Sequence, residues 1–422
     1  MDAQKDKYFV RNATGVALVE FFWGLGFPVV MESTFLQIFL KHQGASDFLI
    51  GLVPAILMMG LSIFPLFSSY LSRNHAQKRP IVLGLHMVSS LSTLTFGLFL
   101  FWAKDPALIL PAFFVSYVIF SLCIGLTFPI WLNFLVKIFS PRKSVQGLSI
   151  MFMAQNIAKI IASLFIIKVV EQFSFSLVSA AWIFLISGLL FLVGSLCFLF
   201  TQEPIDSSPQ AFRKDSFFKH TWETIREMTN NKNLVKYLIG DLDHYVVLTV
   251  IAFYANYATQ FFDIRDYTAA GLFVCFIYSG AILANITLGT LNILSLKHKF
   301  ISTKILNLLM LILLIFYPGL MGFLLASLLL GFCRGTRGII YSPAIKRFSN
   351  RQDATAYFAM APLLTIAFGS GFPLLFGHML DRFSHLGQGS YQLMFGICIL
   401  CVVISLIFGF LTDFSPHPEK TP

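Results

Sequence analysis

The sequence predicts an all-α membrane protein: twelve transmembrane helices in two pseudo-symmetric six-helix bundles. Three observations predict it. First, 57% of the 422 residues are apolar and 12% are charged, with a mean hydropathy of +0.77; a soluble domain carries about 25% charged residues. Second, apolar runs recur along the chain, each near the ~20 residues that cross a hydrocarbon core of ~30 Å. Third, basic residues cluster in every second connection, as the positive-inside rule requires. The ~10-residue alternating segments of a β-barrel are not seen.

The spans read, in order, as 13–40, 47–72, 80–103, 107–138, 146–170, 175–200, 234–260, 268–293, 303–319, 321–346, 354–380 and 390–412. The first follows a polar start, Met1 to Arg11, and is too long for the apolar core of a cleaved signal, so it is expected to act as its own insertion signal. The longest polar stretch, Thr201 to Lys232, divides the spans six and six. This gives an expected N-terminal bundle over 1–200, a central loop over 201–232 and a C-terminal bundle over 233–422. Within the loop, "FRKDSFFKHTWETIREM" (212–228) puts Phe218, Trp222 and Ile225 on one helical face among basic residues. That pattern reads as an interfacial amphipathic helix on the lipid surface, tethering the halves. Prolines at 28, 54, 65, 129, 343, 362 and 373 interrupt spans and can bend them.

Orientation follows from charge. With the N-terminus inside, 22 of the 30 Lys and Arg residues fall on the cytoplasmic side, among them Arg73, Lys78, Arg79, Lys137, Lys297, Lys299 and Lys304. Five fall outside, and three stay in the membrane. Both termini are therefore expected in the cytoplasm, and a bacterial inner membrane is the expected location. The net charge of +10 is spent on this topology, so no nucleic acid partner is expected. All six cysteines lie in apolar runs; the Cys398/Cys401 pair has no second pair or histidine nearby, which reads as packing and not as a metal or redox site.

An internal repeat is visible. "VKIFSPRKS" (136–144) follows span four and "IKRFSNRQD" (345–353) follows span ten. Lys137, Phe139, Ser140 and Arg142 match Lys346, Phe348, Ser349 and Arg351 at a constant offset of 209. Duplicated six-helix units of this kind are related by an axis along the membrane normal. Twelve spans, inside termini, a central loop and a half-repeat together resemble the major facilitator superfamily, over essentially the whole chain. The family's signature loop, of the type G-x-x-x-D-R-x-G-R-R, corresponds to "SSYLSRNHAQKRP" (68–80). Arg73, Lys78 and Arg79 fit it as structural or gating charges, whereas Ser68 and Ser72 stand where glycine and aspartate are usual. In the second half, "LSLKHKF" (294–300) keeps only the basic character.

The resemblance implies that spans one, four, seven and ten line a central cavity, that two, five, eight and eleven flank it, and that three, six, nine and twelve face lipid. The last four read as free of charge in their interiors. The deep charges are Glu20 and Glu32 in span one, Lys159 in span five, Asp241 and Asp243 in span seven, and Arg334 and Arg337 in span ten. A charge at the bilayer centre costs at least ~2.5 kcal/mol, so each needs a reason.

Arg334 and Arg337 are three apart on one helix face, with Gly331, Gly335 and Gly338 around them. A guanidinium fork suits carboxylate or phosphate. Either the pair binds an anionic group of a solute, or protein carboxylates neutralise both. Arg334, the more central, is the expected substrate ligand, and Arg337 the expected structural charge. Arg337 and Asp241 lie at similar depths, about 13 Å and 10 Å from the inner ends of their spans. Asp241 and His244 share a face while Asp243 points away, which suits proton exchange or a structural hydrogen bond. Glu20 matches Asp241 at an offset of 221; a glutamate in an apolar cavity suits a proton carrier. Glu32, nearer the outer side, is a further proton-coupling candidate. Lys159 with Gln155, Asn156 and Ser163 forms a polar stripe that reads as cavity lining or as a buried tie to a span-one glutamate.

No P-loop, metal cluster or nucleophile–base set is found, so neither an ATP-driven pump nor a membrane hydrolase is expected, and no cofactor. The expectation is a secondary active transporter, not an enzyme, working by alternating access as a monomer in the lipid bilayer. It would move a small anionic or zwitterionic solute, coupled to protons. Two other readings stay open: a proton-driven exporter of lipophilic compounds, suited by the 48 phenylalanines, and a non-transporting scaffold or sensor.

Overall fold

The computed structural model of the chain describes residues 2–31, 33–72, 75–103, 105–140, 143–173, 176–204, 217–349 and 355–414. Glu32, Arg73, Arg142 and Arg351, and the side chain of Phe218, lie outside that description. Among the described residues there are helices and turns and no strand.

A short α1 (Asp2–Lys7) leads into span one, built from α2 (Phe9–Val30) and α3 (Ser33–His42). Gly44 then takes a positive φ of 79°, which only glycine adopts freely, and Ser46 caps the next helix by accepting from the Leu49 N–H. Span two is α4 (Asp47–Ile63) with α5 (Pro65–Ser72), divided just before Pro65. Spans three to six are α6 (Arg79–Trp102), α7 (Ile109–Ile138), α8 (Ser144–Phe173) and α9 (Leu177–Leu196). After α10 (Phe217–Asn230), span seven is split into α11 (Lys232–Gly240) and α12 (Asp243–Phe261). Span eight is α13 (Phe273–Ala284), flanked by π-helical turns at Thr268–Leu272 and Asn285–Thr290. Spans nine and ten are α14 (Leu296–Phe316) and α15 (Leu320–Ser349). Span eleven consists of α16 (Thr355–Leu364) and α17 (Ile366–Arg382), interrupted at Thr365, and span twelve is α18 (Gln388–Leu411). Among the described residues eleven stretches are each long and apolar enough to cross a membrane; the broken α16–α17 pair occupies the place of the remaining expected span.

The chain forms two compact units, Met1–Phe212 with Arg265–Cys275, and Arg213–Ile264 with Phe276–Pro422. Each is packed through small residues, because apolar side chains gain little from leaving lipid and helices bind by close backbone approach. In the first unit α4 and α7 cross at Gly60 and Gly125, where a Cβ on either would overlap the other helix's backbone. There α2 crosses α8 at Gly24, where a Cβ would lie 2.7 Å from the Gln155 carbonyl oxygen. In the second unit α13 and α15 cross at Gly280 and Gly331, again with no space for a Cβ. Apolar side chains left outside these contacts cover the surface: Leu91 and Leu98 on α6, Trp182 and Leu189 on α9, Ile305 and Ile312 on α14, Leu400 and Ile407 on α18 are all exposed. Such a belt belongs in a bilayer.

The repeat reappears as matching hydrogen bonds. In the first unit Asn12 Nδ2 donates to the Gln202 carbonyl (3.1 Å), and the Gln202 N–H donates back to Asn12 Oδ1 (2.7 Å). In the second, Asn233 Nδ2 donates to the Asp413 carbonyl (2.7 Å), and the Asp413 N–H returns to Asn233 Oδ1 (2.9 Å). Asn12 and Asn233 differ by 221, the same offset as Glu20 and Asp241. Each asparagine ties the start of a half's first helix to the residue just past its last.

α10 packs on the protein through one side. Trp222 is 67% exposed and Ile225 half-buried, while Thr224 and Met228 are buried and Tyr357 Oη donates to Glu227 (2.8 Å). The protein takes the Thr224–Met228 side, and the indole is left turned away from it.

Gly331→Leu is expected to lower stability by about 1–3 kcal/mol or more, because the added side chain meets the Ile277 backbone. Gly338→Ala, with nothing within 4 Å of its Cβ, is expected to leave the thermal unfolding temperature of the detergent-solubilised protein unchanged.

Candidate functional site

Span seven breaks where its charges begin. α11 ends at Gly240, Asp241 and Leu242 form a turn, and α12 starts at Asp243. The Asp241 N–H still bonds Tyr237 O (2.8 Å), but the next bonds run three residues back, from Leu242 to Ile239, His244 to Asp241 and Tyr245 to Leu242. The two carboxylates on either side of this turn face different neighbours. Asp243, at the first position of α12, also meets the positive end of that helix.

Asp241 turns to α15. Its Oδ2 accepts from Arg337 Nε (3.0 Å) and Nη2 (2.9 Å). The Asp241 side chain is 3% exposed and that of Arg337 22%. The guanidinium also lies 4.3 Å from the centroid of the Tyr341 ring. Arg337 and Asp241, expected at similar depth, are paired. Among the described residues no hydrogen bond joins the His244 ring to Asp241; the His244 N–H reaches the Asp241 carbonyl (3.1 Å).

Asp243 turns to α14. Lys304 Nζ lies 2.8 Å from its Oδ1, and Asn307 Nδ2 donates to its Oδ2 (2.8 Å). Lys304 is 1% exposed; its ammonium also donates to Thr303 Oγ1 (3.1 Å) and stands 3.4 Å from the Phe300 ring centroid. This corrects two expectations. Lys304 is not in a cytoplasmic loop, and span nine is not free of interior charge. α14 begins at Leu296, seven residues before the expected start, so Lys304 is already in its third turn. Lys304 and Asn307, three apart, lie on one face, and that spacing was the overlooked sign.

These groups share a small cavity in the second unit, walled by Asp241, Asp243, His244, Thr303, Asn307 and Arg337, with about 10 Å³ open to a water centre. Arg334 is half-buried, one helical turn from Gly338, whose Cβ position meets open space. Gly331 and Gly335, expected to admit a ligand or another helix, admit α13.

In the first unit the Gly24 crossing brings α2 and α8 close enough for Gln155 Nε2 to donate to Glu20 Oε2, and Glu20 is 7% exposed. Lys159, one turn on, holds its ammonium 5.1 Å from the Phe27 ring centroid, within electrostatic reach of Glu20. Asn156 is half-buried; Ser163 spends its hydroxyl on the Lys159 carbonyl (2.7 Å).

The signature-like loop is held by a residue the sequence reading passed over. Glu203 Oε1 and Oε2 accept from the Lys78 and Arg79 N–H groups (2.8 and 2.7 Å), capping α6. Arg79 Nη1 donates to the Thr201 carbonyl (2.7 Å), Lys78 Nζ to His75 O (2.9 Å), and Lys137 Nζ lies 4.0 Å from Glu203. An acid beyond span six thus covers this helix start, in a loop where Ser72 stands for the usual aspartate.

Arg337→Leu, which strands Asp241 buried, is expected to cost about 3–5 kcal/mol, read as a lost or strongly lowered unfolding transition. Arg337→Lys, which keeps the charge but loses the fork, is expected to fall between.

The sequence profile of the Major Facilitator Superfamily matches residues 13–356. Among solved structures, a point mutant of the nucleoside transporter NupG superposes with a TM-score of 0.72 at 13% identity, covering 95% of this chain and 98% of that one. A POT family transporter in complex with 5-aminolevulinic acid gives 0.70 at 12% identity, covering 95% and 96%. A bacterial homolog to the human lysosomal transporter Spinster gives 0.64 at 15%, covering 98% and 99%. Among curated proteins, none matches significantly. The twelve-span fold and the profile match over most of its length together establish that this chain belongs to the Major Facilitator Superfamily, as a multi-pass membrane transporter and not an enzyme.

Proposed function

We propose that the chain is a secondary active transporter that moves a small anionic or zwitterionic organic solute by alternating access and is driven by protons. The observation that carries this is the charge set held inside membrane-spanning helices: Asp241 with Arg337 and His244 around one cavity, and Arg334 on the same helix as Arg337. A bundle that only had to fold would not keep charges that each cost kcal/mol to insert. Arg334 is the expected solute ligand in the second unit; Lys159, Gln155 and Asn156 are the expected polar ligands in the first. Asp241 and Glu20 are the expected proton carriers, with His244 and Glu32 assisting. Arg337 balances Asp241, and Arg73, Lys78 and Arg79 act in gating.

The solute class rests on these charges. The relatives of known structure include a transporter for nucleosides and one holding 5-aminolevulinic acid, and at 12–13% identity they speak for fold alone. The location proposed is a bacterial inner membrane with both termini in the cytoplasm and the protein a monomer, its two six-helix halves joined through the central loop at 201–232. The basic loops support the proposed orientation.

A thermal-shift screen of the purified protein over carboxylates, phosphates, amino acids, nucleosides and lipophilic drugs is expected to select a charged solute. Arg334→Ala should weaken its binding at least tenfold, about 1.4 kcal/mol. In proteoliposomes, an imposed pH gradient should drive accumulation of that solute, and Asp241→Asn should abolish the response. Selection of uncharged lipophiles with unchanged affinity in Arg334→Ala would contradict the solute class. Uptake indifferent both to the gradient and to Asp241→Asn would contradict proton drive.

A further inference from the structure

The second ion pair of the second unit has no role in the account so far. Asp243 and Lys304 are 4% and 1% exposed as side chains, and the pair could be a simple tie between α12 and α14. Two observations point further. The cavity that Asp243 helps to wall is also walled by Asp241, so both carboxylates border one space. That space has about 10 Å³ for a water centre, close to what one water needs. Asn307 supplies the second observation. Its Nδ2 must face the Asp243 carboxylate, which only accepts, so its Oδ1 is left as an acceptor. Asn307 is fully buried, it walls the cavity, and its Oδ1 has no hydrogen-bond partner among the described residues. Leaving such an atom unpaired is costly, and a water in the adjoining cavity would satisfy it.

We propose that one water molecule occupies this cavity, donates to Asn307 Oδ1, and bridges Asp241 to Asp243, making Asp243 the second carboxylate of a proton relay. The proposal rests on the proton-driven reading above. The transfer balances simply: the Asp241 carboxyl gives its proton to the water oxygen as the water gives one of its own to Asp243. Only O–H bonds form and break. Negative charge returns to Asp241 beside Arg337, and it is removed from Asp243 beside Lys304. A neutral guest fits better than a metal cation, because two carboxylates already face two basic side chains and a further positive charge would be uncompensated. The other titratable or charged groups that wall this space are His244 on α12 and Cys333 and Arg337 on α15; Tyr237, Tyr245, Lys304, Arg334 and Tyr341 act electrostatically on the groups around it.

Infrared difference spectroscopy of the full-length protein in lipid nanodiscs reads the protonated carboxyl band as pH is varied. The wild type is expected to show a titrating band that Asp241→Asn removes. Asn307→Leu keeps both ion pairs and fills the space, and it removes both the Oδ1 acceptor and the Nδ2 donor to Asp243. It is expected to move the midpoint by at least one pH unit, a tenfold change in proton affinity, with a lowered unfolding temperature. If Asn307→Leu fails to fold, the charge-neutral pair Asp243→Asn with Lys304→Met carries the same expectation. A band lost in Asp241→Asn but unmoved in these variants would overturn the relay and leave proton drive standing. No titrating band in the wild type, with uptake blind to a pH gradient, would overturn both.

Discussion

Charge inside hydrocarbon must be compensated where it sits, and the described interior of this protein is organised around that demand. Hydrocarbon offers no bulk water to solvate a carboxylate or an ammonium, and an unpaired buried ion costs several kcal/mol. Among the described residues, Asp241 meets a two-pronged arginine, Asp243 meets a lysine and an amide, and Glu20 meets an amide with a lysine in reach. The partners come from other spans of the same unit. Each compensation is thus also a helix-to-helix tie, and each can be loosened by adding one proton. A transporter needs that double property: charges stable enough to fold and labile enough to be reset.

Close packing makes these pairs possible. Gly24 lets α2 approach α8 until Glu20 and Gln155 touch. Gly280 and Gly331 seat α13 against α15. Asp241 and Asp243, on either side of the break between α11 and α12, face α15 and α14 respectively, and both border the small polar cavity. Chain geometry comes first, and electrostatics then uses the places it creates.

Much of this was legible in the residues. Span number, polarity and the half-repeat follow from hydropathy and loop charge, which act locally and so leave a local trace. The Asp241–Arg337 pair could be anticipated from depth alone. Lys304 could not, because hydropathy assigns a lysine near a helix start to water, and only tertiary contact with Asp243 shows it buried. Glu203 was hidden for a similar reason: its partners are backbone N–H groups more than a hundred residues away, and backbone donors have no sequence signature. The offset of 221 linking Glu20 to Asp241 was a weak numerical hint until the Asn12 and Asn233 ties recurred at the same spacing.

The most direct measurement of local charge compensation is a double-mutant cycle on Asp243 and Lys304, with unfolding followed in a bilayer mimic. Asp243→Leu and Lys304→Leu each leave one buried ion without its counter-charge, whereas the double variant leaves neither. The account predicts that each single change destabilises by about 3 kcal/mol or more and that the double variant returns close to the wild type. Additive losses, or single variants as stable as the parent, would contradict it.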